Sequence, residues 1–210
     1  MISGLYGVTP DSDDTARLMQ QVTAALAGGT RVIQYRCKVA DRQQRLEQAD
    51  ALARLCRAHR ALFIVNDHAD VAAEVGADGV HLGADDGDIA TARDRVGRHA
   101  LIGVSCYNRL ELARDAVAAG ADYVAFGSFF ASRVKPGAVH APLTLLGAAK
   151  AELRVPVVAI GGITPANAQS LIDAGADALA VISALFAAPD VARAARQFCT
   201  LFATTDHAGA

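Results

Sequence analysis

Short apolar or β-branched runs alternate along the chain with longer Ala-, Leu- and Arg-rich segments of helical period. The runs predict strands at Leu5 to Val8, Val32 to Tyr35, Phe63 to Asn66, Gly79 to Leu82, Leu101 to Ser105, Tyr123 to Gly127, Val157 to Ile160 and Leu179 to Ile182. The segments between them predict helices such as Thr15 to Leu26, Arg42 to His59, Leu110 to Ala118, Pro165 to Ala174 and Val191 to Phe202. Most strand runs are continuously apolar, the pattern of a parallel sheet covered by helices.

One local pattern recurs three times: Gly76-Ala77-Asp78, Gly120-Ala121-Asp122 and Gly175-Ala176-Asp177, spaced 44 and 55 residues apart. Each glycine follows a helical stretch and suits a left-handed C-cap, and a strand begins within two or three residues. Eight βα units in 210 residues sit at the lower size limit of the α/β class's (β/α)8 TIM barrel. A flavodoxin-like sheet needs only five or six strands. The expectation is one barrel domain over residues 1–202, followed by a disordered tail at 203–210.

Composition changes this picture little but excludes other classes. A chain that is 52% hydrophobic and 20% charged is not a disordered, collagenous or disulfide-scaffold protein. A net charge of −2 gives no bulk electrostatic reason to expect nucleic acid or an anionic membrane. The N-terminal residues Met1 to Leu5 lack the basic and apolar regions of a signal peptide, and no run approaches the ~20 apolar residues of a membrane span. Cys37, Cys56, Cys106 and Cys199 are scattered with no C-x-x-C pair, as in reduced thiols of a cytoplasmic protein.

A barrel carries its chemistry at the C-terminal ends of its strands. Those positions hold Gln34, Arg36 and Lys38; Asn66 and Asp67; His81 and the run Gly83 to Asp86; Ser105; Ser132 to Pro136; Gly161 to Thr164; and Ile182-Ser183. Two of the chain's three lysines, Lys38 and Lys135, fall at this rim, where seventeen arginines were available for any ordinary surface charge. Asp67 and Asp86 follow adjacent strands. Two nearby carboxylates repel unless a proton or cation lies between them, and hard oxygen ligands suit Mg²⁺. Each Asp also has a plainer reading, as a helix N-cap. Gly161-Gly162 and the Ile182-Ser183 exit offer backbone N–H groups of the kind that hold a phosphate after strands seven and eight. The rim thus supplies two anion sites, one suited to a monophosphate and one to a diphosphate. No Ser-His-Asp or Cys-His pairing stands out. His81 reads as a structural residue, while His59, His68, His99, His140 and His207 read as solvent-facing.

At these residues the chain resembles the thiamine-phosphate synthase family. The resemblance runs from Gly4 to about Leu185 and is carried by VIQYRCK (32–38), IVNDHADVAAEVGADGVHLGADD (64–86), IGVSCYN (102–108), VAFGSFFASRVKP (124–136), VVAIGGITPANA (157–168) and ALAVISAL (178–185). It implies that Gln34, Tyr35, Arg36, Cys37, Lys38, Asn66, Ser105 and Lys135 bind a pyrimidine diphosphate. It further implies that Ser132, Arg133, Val134, Gly162, Ile182 and Ser183 bind a thiazole phosphate, and that Asp67 and Asp86 ligate Mg²⁺. Arg36, Lys38, Ser105 and Lys135 would carry the chemistry. The implied reaction joins 4-amino-2-methyl-5-pyrimidinylmethyl diphosphate to 4-methyl-5-(2-phosphoethyl)thiazole or its carboxylated precursor, by dissociative loss of pyrophosphate. Small-molecule substrates are the only partners it implies, and the oligomeric state is not legible.

The chain departs from the family pattern in places. Ser132-Arg133-Val134 replaces a usual Thr-x-Thr, and Val134 cannot hydrogen-bond, worth about 1 kcal/mol of thiazole-phosphate affinity if that hydroxyl is used. Ala84-Asp85 replaces Gln-Glu, and Cys106-Tyr107 replaces Thr-His. The Ser132 to Pro136 loop is a candidate lid. Thiazole tautomerases share the barrel and the phosphate site but lack the full diphosphate and Mg²⁺ set. A Schiff-base aldolase using Lys38 or Lys135 is opposed by the neighbouring aspartates, which favour a charged amine. A non-catalytic regulatory barrel is the remaining rival.

Overall fold

The computed structural model describes residues 1–83, 88–131 and 139–205. Its strands are β1 (Gly4–Val8), β2 (Val32–Tyr35), β3 (Leu62–Asn66), β4 (Gly79–Leu82), β5 (Leu101–Tyr107), β6 (Tyr123–Phe126), β7 (Val157–Ile160) and β8 (Ala178–Val181). The helices are α1 (Thr15–Ala27), α2 (Arg42–Ala58), α3 (Ala69–Glu74), α4 (Ile89–Val96), α5 (Leu110–Ala118), α6 (Thr144–Glu152), α7 (Ala168–Asp173), α8 (Ser183–Phe186) and α9 (Val191–Thr205). All strands pair in parallel with their sequence neighbours, and β8 returns to β1 to close the barrel. This is the (β/α)8 architecture that the alternation predicts.

The side-chain period of a strand divides the core in two. Outward-facing residues such as Leu5, Ile33, Phe63, Val65, Val80, Val124 and Leu179 pack against the helices in one large cluster. Inward-facing residues, among them Tyr6, Val8, Val32, Ile64, Tyr123, Val158 and Ala180, fill the barrel in a second. Continuous apolar runs therefore record burial on both faces. The interior is not wholly apolar, since Gln34 and His81 are buried among it.

The three Gly-Ala-Asp repeats serve the opposite end from the strand termini that carry chemistry. Gly76, Gly120 and Gly175 adopt φ of 61°, 99° and 107°, the left-handed conformation that stops each helix. The aspartate two residues on then clamps the preceding strand. Asp78 Oδ2 accepts from Phe63 N at 2.8 Å, Asp122 Oδ2 from Ile102 N at 2.8 Å and Asp177 Oδ2 from Val157 N at 2.7 Å. Each aspartate's own amide reaches the same residue's carbonyl, within 2.7–2.9 Å. Lys150 and Arg93 supply countercharges to Asp177 and Asp122.

Boundaries differ from expectation where local hydrogen bonds intervene. The helix expected from Pro165 starts at Ala168, because Asn167 Oδ1 accepts from Thr164 N and its amide donates to Gly162 O, forming a turn first. β5 runs past Ser105 to Tyr107 through a register shift. Ile182 leaves β8 to become the N-cap of α8, and α9 continues to Thr205, three residues beyond its expected end.

Candidate active site

The strands' C-terminal ends open on a cavity of about 1090 Å³. Gln34, Arg36, Asn66, His81 and Ser105, from β2 to β5 and the turns after them, line one side, and Gly162, Ile182 and Ser183, after β7 and β8, line the other. Seven of the residues singled out as binding candidates thus share one chamber, with His81 beside them. The alternation within β2 separates the remaining candidates. Gln34 faces the barrel axis, whereas Tyr35 faces α2, fully buried, with its hydroxyl donating to Gln48 Oε1 at 2.8 Å. Cys37 is likewise buried, its thiol 3.5 Å from Ser12 O. The side chains of Tyr35 and Cys37 therefore do not reach the cavity, a correction to the expectation that the whole 34–38 run contacts substrate. Lys38 is exposed at the rim. Asp86, Ser132, Arg133, Val134 and Lys135, the Ala84-Asp85 departure and the candidate lid lie outside the described residues.

Two residues that the sequence pattern did not single out hold the β2 exit in place. Thr9, fully buried after β1, accepts from Arg36 N at 2.9 Å and donates to Arg36 O at 3.1 Å. Asp11 accepts from the Arg36 guanidinium at 3.1 Å and from Lys38 N at 2.7 Å. Both cations that follow β2 are thus anchored by the loop after β1. A turn-forming Thr-Pro-Asp is too common a signal to reveal this role from sequence.

Asp67 has φ of 64°, a left-handed conformation that costs a non-glycine residue about 1 kcal/mol and that Asp tolerates best. Its amide donates to His81 O at 2.8 Å, which fixes it beside β4. It is not a helix cap, since the N-cap of α3 is His68 and no side chain bonds there. The cap of α4 is Asp88, whose carboxylate accepts from Thr91 N at 2.7 Å and whose pKa that bond lowers. The plainer explanation for Asp67 is therefore not met.

Five polar side chains of residues that line the cavity form a series across the barrel. Gln34 Nε2 donates to Tyr6 Oη at 2.9 Å, and Tyr6 Oη lies 2.8 Å from Tyr123 Oη. Tyr123 Oη is 3.1 Å from His81 Nδ1, and His81 Nε2 is 2.9 Å from Ser105 Oγ. Burial pushes both phenols well above their ordinary range, so they stay neutral. The Tyr123 ring occupies space that only glycine leaves open, because a Cβ at Gly103 would lie 2.0 Å from Tyr123 Cζ. Tyr6 and Tyr123 were legible as core; their hydroxyls' use was not.

Across the cavity, Gly162 has φ of 63° and a Cβ there would meet Ala131 O at 2.4 Å. Among the described residues, no acceptor meets the backbone N–H groups of Gly162, Ser183 and Ala184. These donors, on a wall with no described cation, have the chemistry of a phosphate cradle. One chamber thus offers cations and neutral polar groups on one side and bare amides on the other.

A profile of the thiamine monophosphate synthase family matches residues 5–185. The chain belongs to that family. It is 59% identical over 201 residues to the thiamine-phosphate synthase of Chromobacterium violaceum, covering 96% of this chain and 97% of the relative. It is 56% identical to that of Bordetella bronchiseptica, covering 95% of each. Thiamine phosphate pyrophosphorylase from Pyrococcus furiosus superposes with a TM-score of 0.85 at 36% identity, covering 96% of each chain.

Proposed function

We propose that this chain joins 4-amino-2-methyl-5-pyrimidinylmethyl diphosphate to 4-methyl-5-(2-phosphoethyl)thiazole, or its carboxylated precursor, releasing thiamine phosphate and pyrophosphate. The observation that carries the reading is one cavity with Arg36 on one wall and the backbone of Gly162 and Ser183 on the other, in a chain 59% identical to a thiamine-phosphate synthase. Gln34, Asn66 and Ser105 meet the pyrimidine, Arg36 with Lys38 and Lys135 meets its diphosphate, and Gly162, Ile182 and Ser183 with 132–134 hold the thiazole phosphate.

The residues present fit a divalent cation. Asp67 is held out of the ordinary backbone conformation and does not cap a helix, and Asp86 follows the neighbouring strand. Asp67 and Asp86 would hold Mg²⁺, which when bound neutralises charge on the diphosphate oxygens.

The protein's own share is positioning and charge stabilisation. Breaking the methylene C–O bond leaves both electrons on pyrophosphate, and Arg36, anchored by Asp11 and Thr9, stands ready for that charge without reorganising. The electron-rich aminopyrimidine supports the positive methylene, and the thiazole nitrogen, brought up by the phosphate on the opposite wall, forms the new C–N bond. No side chain has to remove a proton from carbon. The free thiols of Cys37, Cys56, Cys106 and Cys199 support work in a reducing, cytoplasmic compartment.

Incubation with both substrates and Mg²⁺, followed by oxidation to thiochrome, tests the reading. Fluorescent product that requires Mg²⁺ and is lost in Asp67→Ala is expected. No product from folded wild-type protein overturns the synthase, and Mg²⁺-independent product overturns the metal assignment.

A further inference from the structure

All five members of the series Gln34–Tyr6–Tyr123–His81–Ser105 line the cavity; the first four are buried and Ser105 is half-buried. With the Gln34 amide oriented as in the structure, its direction follows from counting protons. An amide nitrogen only donates, so with Gln34 Nε2 on Tyr6, the Tyr6 oxygen accepts and its one proton goes to Tyr123. The Tyr123 proton then goes to His81 Nδ1, the ring proton sits on Nε2, and Nε2–H donates to Ser105 Oγ. The serine proton is left for the cavity. At the other end, Gln34 Oε1 has no partner among the described residues and remains an acceptor for a ligand. Rotating the amide reverses every bond and inverts both ends at once. A mixed state makes one phenol accept twice and turns its proton out of the series, where no acceptor among the described residues meets it, which is costly.

We propose that Gln34 and Ser105 act as one recognition unit, in which Tyr6, Tyr123 and His81 are positioning residues that make Ser105 a hydrogen-bond donor to the cavity when Gln34 is an acceptor. Such a pair selects a ligand that presents a donor to Gln34 and an acceptor to Ser105 together. A heteroaromatic ring with an exocyclic amine and an unprotonated ring nitrogen has that chemistry. The inference deepens the proposed function and rests on it for the identity of the ligand, but the direction of the chain is a property of the protein alone.

Two measurements test it. ¹⁵N NMR of histidine-labelled wild-type protein at neutral pH, with His81 assigned by comparison with His81→Asn, reads the tautomer without any turnover. A proton on Nε2 alone is expected. A proton on Nδ1, or on both nitrogens, overturns the proposal. The second measurement is a double-mutant cycle of Gln34→Ala and Ser105→Ala on kcat/KM for the pyrimidine diphosphate, run in wild-type and in Tyr6→Phe backgrounds. Phe keeps the ring and deletes only the hydroxyl that joins the two ends. Non-additivity of about tenfold is expected in the wild type and its disappearance in Tyr6→Phe, with KM for thiazole phosphate little changed. Additivity in the wild type, or coupling that survives Tyr6→Phe and therefore runs through the ligand, overturns it. A wild type that made no thiamine phosphate would remove the functional reading and its kinetic arm, while the NMR result would still decide the direction of the chain.

Discussion

Gly103→Ala would add one methyl group where the barrel has no room for it. The new Cβ would stand 2.0 Å from Tyr123 Cζ and 2.4 Å from both Cε atoms, against the 3.0 Å below which real Cβ contacts essentially never fall. The ring, fully buried, would have to retreat by about 1 Å, a small-to-large insertion of the kind that costs about 1–3 kcal/mol. Cζ carries the hydroxyl that makes the 2.8 Å contact to Tyr6 and the 3.1 Å contact to His81, and losing one of these adds about 1 kcal/mol. The sum is about 2–4 kcal/mol, or a fall in Tm of roughly 4–16 °C for a domain of this size. Thermal unfolding followed by circular dichroism measures it. The reasoning also requires a raised KM for the pyrimidine diphosphate, since His81, which holds Ser105, would lose its own partner. A variant with wild-type Tm would refute it, because the methyl group would then have been accommodated without moving the ring.

Asp11→Ala removes the acceptor for both Arg36 and Lys38 N, and KM for the pyrimidine diphosphate should rise about five- to tenfold with KM for thiazole phosphate unchanged, as steady-state kinetics would show. Burial pushes the thiols of Cys56 and Cys106 up to about 12 from an ordinary 9.0, and it raises the phenols of Tyr6 and Tyr123 above their ordinary 10.0. The folded chain thus keeps protons that the unfolded chain releases, so stability is complete below about pH 9 and declines as pH climbs toward 12. Urea midpoints taken from about pH 8 to about pH 11 should fall steadily, and a flat series would contradict the burial of these groups.

The alternation of apolar runs and helical segments was enough to read the barrel, because eight strands buried on both faces leave little else for such a pattern to mean. Rim residues followed from that fold, since Gln34, Asn66 and Ser105 are the inward positions nearest the strand ends. The same run of sequence misled at Tyr35 and Cys37, where one residue of displacement turns a side chain from the axis to the helices. Thr9 and Asp11 were invisible because their task is to hold a different strand's exit, a relation that arises only on closure. Tyr6 and Tyr123 were hidden for another reason: their rings serve the core, and only the meeting of hydroxyls 117 residues apart in sequence gives them a polar role.

Asp78, Asp122 and Asp177 fasten the strands at the end remote from the cavity. In β3 the clamp is made at Phe63, while Asn66 lines the cavity three residues later. At a rise of about 3.3 Å per residue, fastening and cavity are separated by some 10 Å of rigid strand. The barrel is thereby a chassis whose catalytic face can be rebuilt without loosening its joints. A library that randomises the turns after the strands and keeps the three aspartates would start from a fold already secured, so the route from this chain to new substrates runs through its loops and leaves its foundations alone.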